Sequence, residues 1–200
     1  MGQTFFVIIM LVMIGTAIWA VVSIFSARVS EPHYERIALK RGYEIRRYDP
    51  FIEASTVVDG SYSTALYEGF RRIGGYIFGN NIKKQSIAMT APVLDTALDG
   101  QKRRVSFVMP EGSKMDGLPH PEDGRVKLSA NPAQSIAVLR FTGAINAKKI
   151  ARKEAKLLAM LKRDNIKITD KPRSARYNPP WTFPLLARNE IHVGVQYKNT

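Results

Sequence analysis

The chain has 200 residues, 45% hydrophobic and 24% charged, which is enough for one domain with a single core and too rich in apolar residues for a disordered tail. Thirty Lys and Arg against 17 Asp and Glu give a formal charge of +13, a surplus that favours anionic partners such as lipid headgroups, nucleic acid or ligand carboxylates. Cysteine is absent, which excludes disulfide staples, zinc-thiolate sites, thiol nucleophiles and thiolate metal ligands.

Residues 5–25 (FFVIIMLVMIGTAIWAVVSIF) carry no charge and match the roughly 20 residues that a helix needs to cross a bilayer. No Lys or Arg precedes this run, and Ile18 and Phe25 are poorly placed for cleavage after Ala20 or Ala27. The expectation is therefore an uncleaved, single-pass transmembrane anchor over residues 1–27 and not a signal peptide. Arg28, Arg36, Lys40 and Arg41 follow it, so the positive-inside tendency favours the cytoplasmic side for the rest of the chain, with the opposite side left open. Residues 28–41 read as a juxtamembrane linker and 42–198 as the folded domain.

Within that domain, residues 43–48 (YEIRRY) and 51–58 (FIEASTVV) read as strands joined in a hairpin at Asp49-Pro50. Gly60 and Ser61 break the pattern, after which Leu66, Phe70, Ile73 and Ile77 fall on one face of an amphipathic helix over residues 63–78. Residues 86–94 (SIAMTAPVL) and 103–109 (RRVSFVM) follow as strands around an Asp99-Gly100 turn. A Pro, Gly and acid-rich stretch, residues 110–124, reads as a mobile loop.

The second half repeats the order. Residues 125–130 and 135–141 read as paired strands, Gly143 breaks them, residues 146–164 form a second amphipathic helix, and residues 173–177 and 190–197 close the chain as extended pieces. Gly60 and Gly143 each precede a helix, and Asn80 and Asn165 each follow one. The fold expected is α+β, built from two ββαββ-like halves with two main helices, each helix laid across one face of a sheet and leaving a cleft at its side.

Catalytic and nucleic-acid signals are weak. His33, His120 and His192 are isolated from one another and from carboxylates at metal-ligand spacing, and GFRRIGG lacks the lysine and hydroxyl of a phosphate-binding loop. No catalytic residue is assigned, the chain is not read as an enzyme, and no nucleic-acid partner is expected. Gly69, Gly74 and Gly75 inside the first helix each cost about 1 kcal/mol against alanine. They imply either close packing of helix on sheet or a flat surface for a planar ligand. Tyr62, Tyr67, Phe70, Arg71, Arg72 and Tyr76 surround them, aromatic faces and cations suited to an aromatic ring system bearing carboxylates. Lys148, Lys149, Arg152, Lys153, Lys156, Lys162 and Arg163 make the second helix basic, either as a solvated face or as a contact for anionic lipid.

Taken together, YEIRRYDPFIEAST, ALYEGFRRIGGYIFGNN, SIAMTAPV, FVMP and NPPWTFPLLARNEIHV resemble the SOUL family of haem-binding proteins over about residues 34–195. The resemblance implies a distorted antiparallel β-barrel similar to the bacterial effector-binding fold. It implies haem or a related tetrapyrrole as cofactor, held in a shallow apolar groove beside the first helix by Leu66, Tyr67, Phe70, Arg71, Gly74 and Met89, with cations near the propionates. Some relatives carry His where this chain has Arg47, and others carry Met or Arg where it has Tyr67, Phe70 and Gly74; the iron ligand is left open, with the Tyr67 phenolate as one candidate. The family normally lacks an N-terminal anchor. The alternative is a membrane-tethered effector-binding or protein-interaction module that does not use haem.

Overall fold

The computed structural model describes residues 29–197 together with Phe5, Phe6, Ile9, Met10, Met13, Gly15 and Trp19. Most of the expected anchor, residues 1–27, lies outside the described residues, and no helix among those described is long and apolar enough to cross a membrane. The elements in chain order are β1 (Tyr34–Lys40), β2 (Tyr43–Tyr48), β3 (Phe51–Asp59), α1 (Tyr62–Ile77), β4 (Val93–Ala97) and β5 (Lys102–Val108). They continue with β6 (Lys127–Asn131), β7 (Gln134–Thr142), α2 (Ala147–Arg163), β8 (Lys167–Ile168), β9 (Arg173–Arg176) and β10 (Arg188–Gln196). Strand β1 occupies the stretch expected to be a linker and pairs with β2 along the sheet edge.

All strands belong to one curled antiparallel sheet, a half-barrel, in the order β1-β2-β7-β10-β9-β4-β5-β3-β6, with β8 on β10. The expected repeat is present, since β3-β5-β4 with α1 mirrors β7-β10-β9 with α2 across the β4–β9 junction. The expected pairing around Asp99-Gly100 is present, β4 running antiparallel to β5, but the hairpins expected at the start of each half are not. Strand β2 pairs with β7 and not with β3, and β6 pairs with β3 and not with β7, so each half lends its first strand to the other. The reason lies in the connectors. Asp49-Pro50 and Pro132-Ala133 lack the left-handed residues that a tight two-residue hairpin requires, so the chain runs on instead of folding back.

Residues 86–92 do not extend β4 as expected. Their backbone groups are satisfied elsewhere: Ile87 N–H donates to Ile77 O at 2.7 Å and Ala91 N–H to Ser30 O at 2.8 Å. The loop over 110–124 is also tied down rather than hanging free. Tyr76 Oη donates to Pro119 O at 3.0 Å, Ile82 N–H to His120 O at 3.0 Å, and Asn81 bridges Pro121.

Both helices start and stop where local chemistry dictates. Ser61 Oγ accepts from Thr64 N–H at 3.3 Å and Asn146 Oδ1 from Lys149 N–H at 2.9 Å, capping each N-terminus. Left-handed Gly79 (φ 111°) follows α1 and left-handed Asn165 (φ 53°) follows α2, the same stop made by two residue types. Strand alternation then sorts the faces. Ile52, Ala54, Val105 and Phe107 pack under Ile73, Tyr76 and Ile77 of α1, while Ile191, Val193 and Val195 pack under Ile150, Leu157 and Leu161 of α2.

Gly69 marks the closest approach of α1 to the sheet, because a Cβ there would lie 2.6 Å from Val105. A G69A chain is expected to lose stability despite the roughly 1 kcal/mol gain in helix propensity, since overpacking of this kind costs about 1–3 kcal/mol. The urea midpoint measures the balance, and an unchanged or higher midpoint would contradict the tight packing.

Candidate functional site

Successive helical residues advance about 100°, so Tyr67, Phe70, Arg71, Gly74 and Phe78, the residue that follows α1, fall within one third of the helix circumference. Tyr67, Arg71 and Phe78 of that arc are turned away from the sheet, and Phe70 lies at its margin. Tyr67 is 69% exposed, Phe70 40% and Phe78 65%, although each is large and aromatic. Gly74 lies beneath the two phenyl groups: a Cβ on it would meet the Phe70 and Phe78 rings at 3.9 Å each. With no side chain on Gly74, the two rings flank it and its backbone is buried. Phe70 is braced from below by an edge contact with buried Phe107, ring centroids 5.2 Å apart.

Of the residues expected at the site, the structure gathers Tyr67, Phe70, Arg71 and Gly74 on this face. Leu66 turns instead towards the core under α1, and Met89 stands exposed on the returning segment, two residues past buried Ile87. Tyr76 and Tyr62 also leave the surface group, the first fully buried and the second packed against the α2 core. Arg71 Nη2 donates to Glu68 at 2.8 Å, and the hydrogen bond from Arg71 holds the Glu68 carboxyl below its ordinary range. Arg72 Nη1 donates to Val57 O at 3.2 Å, which fixes it against β3. Phe78 and Ile82, both exposed, were not anticipated; Phe78 was legible as the residue one turn beyond Gly74.

The expected groove beside α1 is thus an open face. A cleft of about 750 Å³ lies on the opposite, concave side of the sheet, lined by Glu53, Ser55, Arg104, Ser106, Lys127 and Arg173 among others. Its walls are polar because they are the outward alternates of the residues under α1. Arg173 is neutralised there by Glu53 at 2.7 Å.

On the same concave side, the half of the sheet around β10 is filled by a buried ionic cluster that sequence reading missed. Glu190, fully buried, accepts from Arg46 at 2.8 and 3.0 Å, from Tyr177 Oη at 2.9 Å and from Arg188 Nε at 2.9 Å, with His192 Nε2 at 2.8 Å. Burial alone would raise the Glu190 pKa, but hydrogen bonds and charge from His192 and Arg46 outweigh it and hold the carboxyl well below the usual range. Arg46 also donates to Tyr48, and Arg188 to Glu31. The signal was alternation: Glu190 and His192 interleave with Ile191 and Val193 in a strand flanked on both sides, where the second face does not reach water.

Burial lowers the pKa of His192 from 6.5, overcoming the opposing pull of Glu190. A depressed native pKa means that the unfolded chain binds the proton first, so the stabilising contribution is complete above 6.5 and is lost as pH falls through the native value. The unfolding free energy should accordingly decline between pH 7 and pH 5, by at most about 1.4 kcal/mol per pH unit from this group, and the melting temperature with it. An H192Q chain should show a flatter profile; an identical slope would contradict the assignment.

Three comparisons bear on these observations. The profile of the SOUL heme-binding protein family matches residues 29–194. Heme-binding protein 2 of Homo sapiens is 30% identical over 155 residues, 74% of this chain and 74% of its own length. Among solved structures, the EcmrR C-terminal domain superposes with a TM-score of 0.60 at 12% identity, over 82% of this chain and 98% of that one. A hydrolase from Listeria innocua superposes at 0.53 and 12% identity, over 80% and 94% of the two chains. At such identities the last two likenesses concern the fold alone.

Proposed function

The chain belongs to the SOUL heme-binding protein family, and from that premise we propose that it binds haem or a related tetrapyrrole flat against the exposed face of α1. The observation that carries this reading is the pair of exposed phenyl groups flanking Gly74. A porphyrin plane laid on them is stabilised by roughly 25 cal/mol per Å² of apolar surface removed from water, with offset or edge contacts to the rings adding to it. Arg71, at the margin, exchanges Glu68 for a propionate of the ligand. Tyr67 offers a phenol oxygen on the same arc, and Arg47 stands exposed on β2. Bound haem supplies the redox-active and gas-binding iron; the protein supplies a surface, an orientation and a charge partner, as suits a carrier, buffer or sensor.

In this proposal residues 1–27 tether the domain to a membrane as a single-pass anchor, with the cytoplasmic side favoured by the charges that follow. The exposed cations of α2, Lys148, Arg152, Lys156 and Lys162, contact anionic headgroups. A second reading, a haem-independent effector module, draws on the concave cleft, where Arg104 and Lys127 have no carboxylate partner among the described residues.

The test is a hemin titration of the full chain in detergent micelles, followed at the Soret band. A saturable shift is expected, with Arg71→Ala weakening it less than changes to the phenyl groups, because Arg71 is solvent-exposed. No saturable shift, together with a melting temperature raised by small organic anions, would favour the second reading.

A further inference from the structure

The segment between β9 and β10 is an unusual loop. From Asn178 to Ala187 it reads NPPWTFPLLA, without a charge, although surface loops ordinarily carry polar turn residues. It is closed at the neck, where Tyr177 N–H donates to Arg188 O at 3.2 Å and Arg188 N–H to Asn178 Oδ1 at 2.7 Å. Within it, Thr182 N–H donates to Pro179 O at 3.1 Å and Leu186 N–H to Phe183 O at 2.9 Å, and Pro184–Leu186 form a short 3-10 helix. This internally bonded scaffold turns Trp181 (61% exposed), Leu185 (72%) and Leu186 (43%) outward. Holding large apolar side chains in water costs stability with no return from the fold itself.

The contacts of the loop indicate what covers it. Trp19, inside the uncharged run of residues 5–25, donates its indole N–H to Trp181 O at 2.6 Å and sets its ring edge-on to Phe183 at 5.0 Å. The domain is entered at this same pole, where Ser30 O holds Ala91 N–H and Arg188 pairs with Glu31 at 2.9 Å. The exposed loop is therefore continuous with the apolar run.

We propose that residues 178–187 form a membrane-seated loop, with Trp181, Leu185 and Leu186 lodged at the boundary between headgroups and acyl chains of the bilayer that the N-terminal run enters. The inference rests on the anchor reading of residues 1–27 and deepens it, giving the domain a second attachment and a fixed tilt. Tryptophan and leucine suit that boundary, where a polar ring atom and an apolar body are both satisfied. Because Ala91 lies two residues beyond Met89, the attachment also holds one end of the segment flanking α1 near the lipid surface.

The sequence contains two tryptophans, so W19F leaves Trp181 as the sole reporter and W181F leaves Trp19. Each full-length variant is reconstituted into phosphatidylcholine vesicles whose acyl chains carry bromine at shallow or deep positions. Trp181 emission should be quenched, more by shallow than by deep bromine, and the quenching should be lost when L185E and L186E are added to W19F. Quenching of Trp19 but not of Trp181 overturns the loop inference and leaves the anchor standing, whether water or another protein covers the loop. If neither is quenched, the anchor reading fails and takes the loop with it.

Discussion

A chain carrying E190Q is expected to lose about 3–5 kcal/mol of folding stability, the cost of leaving buried cations without their counter-ion. Glutamine keeps the shape of the side chain but replaces one acceptor oxygen with a donor, so it cannot satisfy Arg46, Arg188, Tyr177 and His192 together. Arg46 has only 2% of its side chain exposed, and water cannot readily take over. The urea midpoint at pH 7 should fall sharply, while R71A, which breaks an exposed pair with Glu68, should leave it nearly unchanged. An E190Q midpoint equal to that of the parent would mean that the cluster does not hold β2 to β10 and β9.

The second large effect concerns ligand affinity. Gly74 does not sit in the left-handed region, so a side chain is tolerated by the backbone, and G74A should raise helix stability by up to about 1 kcal/mol. Gly74→Leu, in contrast, places a bulky side chain between Phe70 and Phe78 and keeps a flat ligand from lying across both rings. Hemin affinity should drop roughly tenfold, about 1.4 kcal/mol, with the fold retained. F70A should act in the same direction, since an aromatic contact of this type contributes about 0.5–1.5 kcal/mol beyond the area it buries. The contrast with Gly69 is informative: there a methyl group meets Val105 at 2.6 Å, so stability falls instead. If G74L binds hemin as tightly as the parent, the ligand does not lie on this face.

How legible the molecule was in its sequence depended on whether the deciding interactions were local. Both helices were read to within about a residue, because caps at Ser61 and Asn146, apolar periodicity and stops at Gly79 and Asn165 all lie within the segments themselves. The internal repeat was legible for the same reason. The β4–β5 pair around Asp99-Gly100 was legible too, but the partners of β2 and β6 were not, because their exchange between halves is decided by non-local pairing, and adjacent strands in sequence suggested hairpins that Pro50 and Pro132 do not support. Residues 86–92 looked like a strand from their β-branched and apolar content, yet their amides are taken by Ile77 and Ser30. At the site, the grouping of Tyr67, Phe70, Arg71 and Gly74 followed from helical geometry, whereas Leu66 was misplaced because it lies between Ile73 and Ile77 on the apolar stripe that packs on the sheet. The Glu190 cluster was hidden because its members come from β2, β10 and Tyr177 just beyond β9, and alternation alone does not tell a buried polar face from a wet one.

The central claim, that a tetrapyrrole lies on the outer face of α1, is tested most directly by placing the ligand with a diamagnetic porphyrin. The ring current of zinc protoporphyrin displaces the resonances of nearby methyl groups, and ε-methyl labelling of methionine puts reporters at Met89, exposed beyond α1, and at Met160, on the buried face of α2. Saturable addition should move the Met89 signal and broaden or shift the Phe70 and Phe78 ring protons while Met160 stays in place. Saturable binding that moves Met160 and leaves Met89, Phe70 and Phe78 untouched would contradict it.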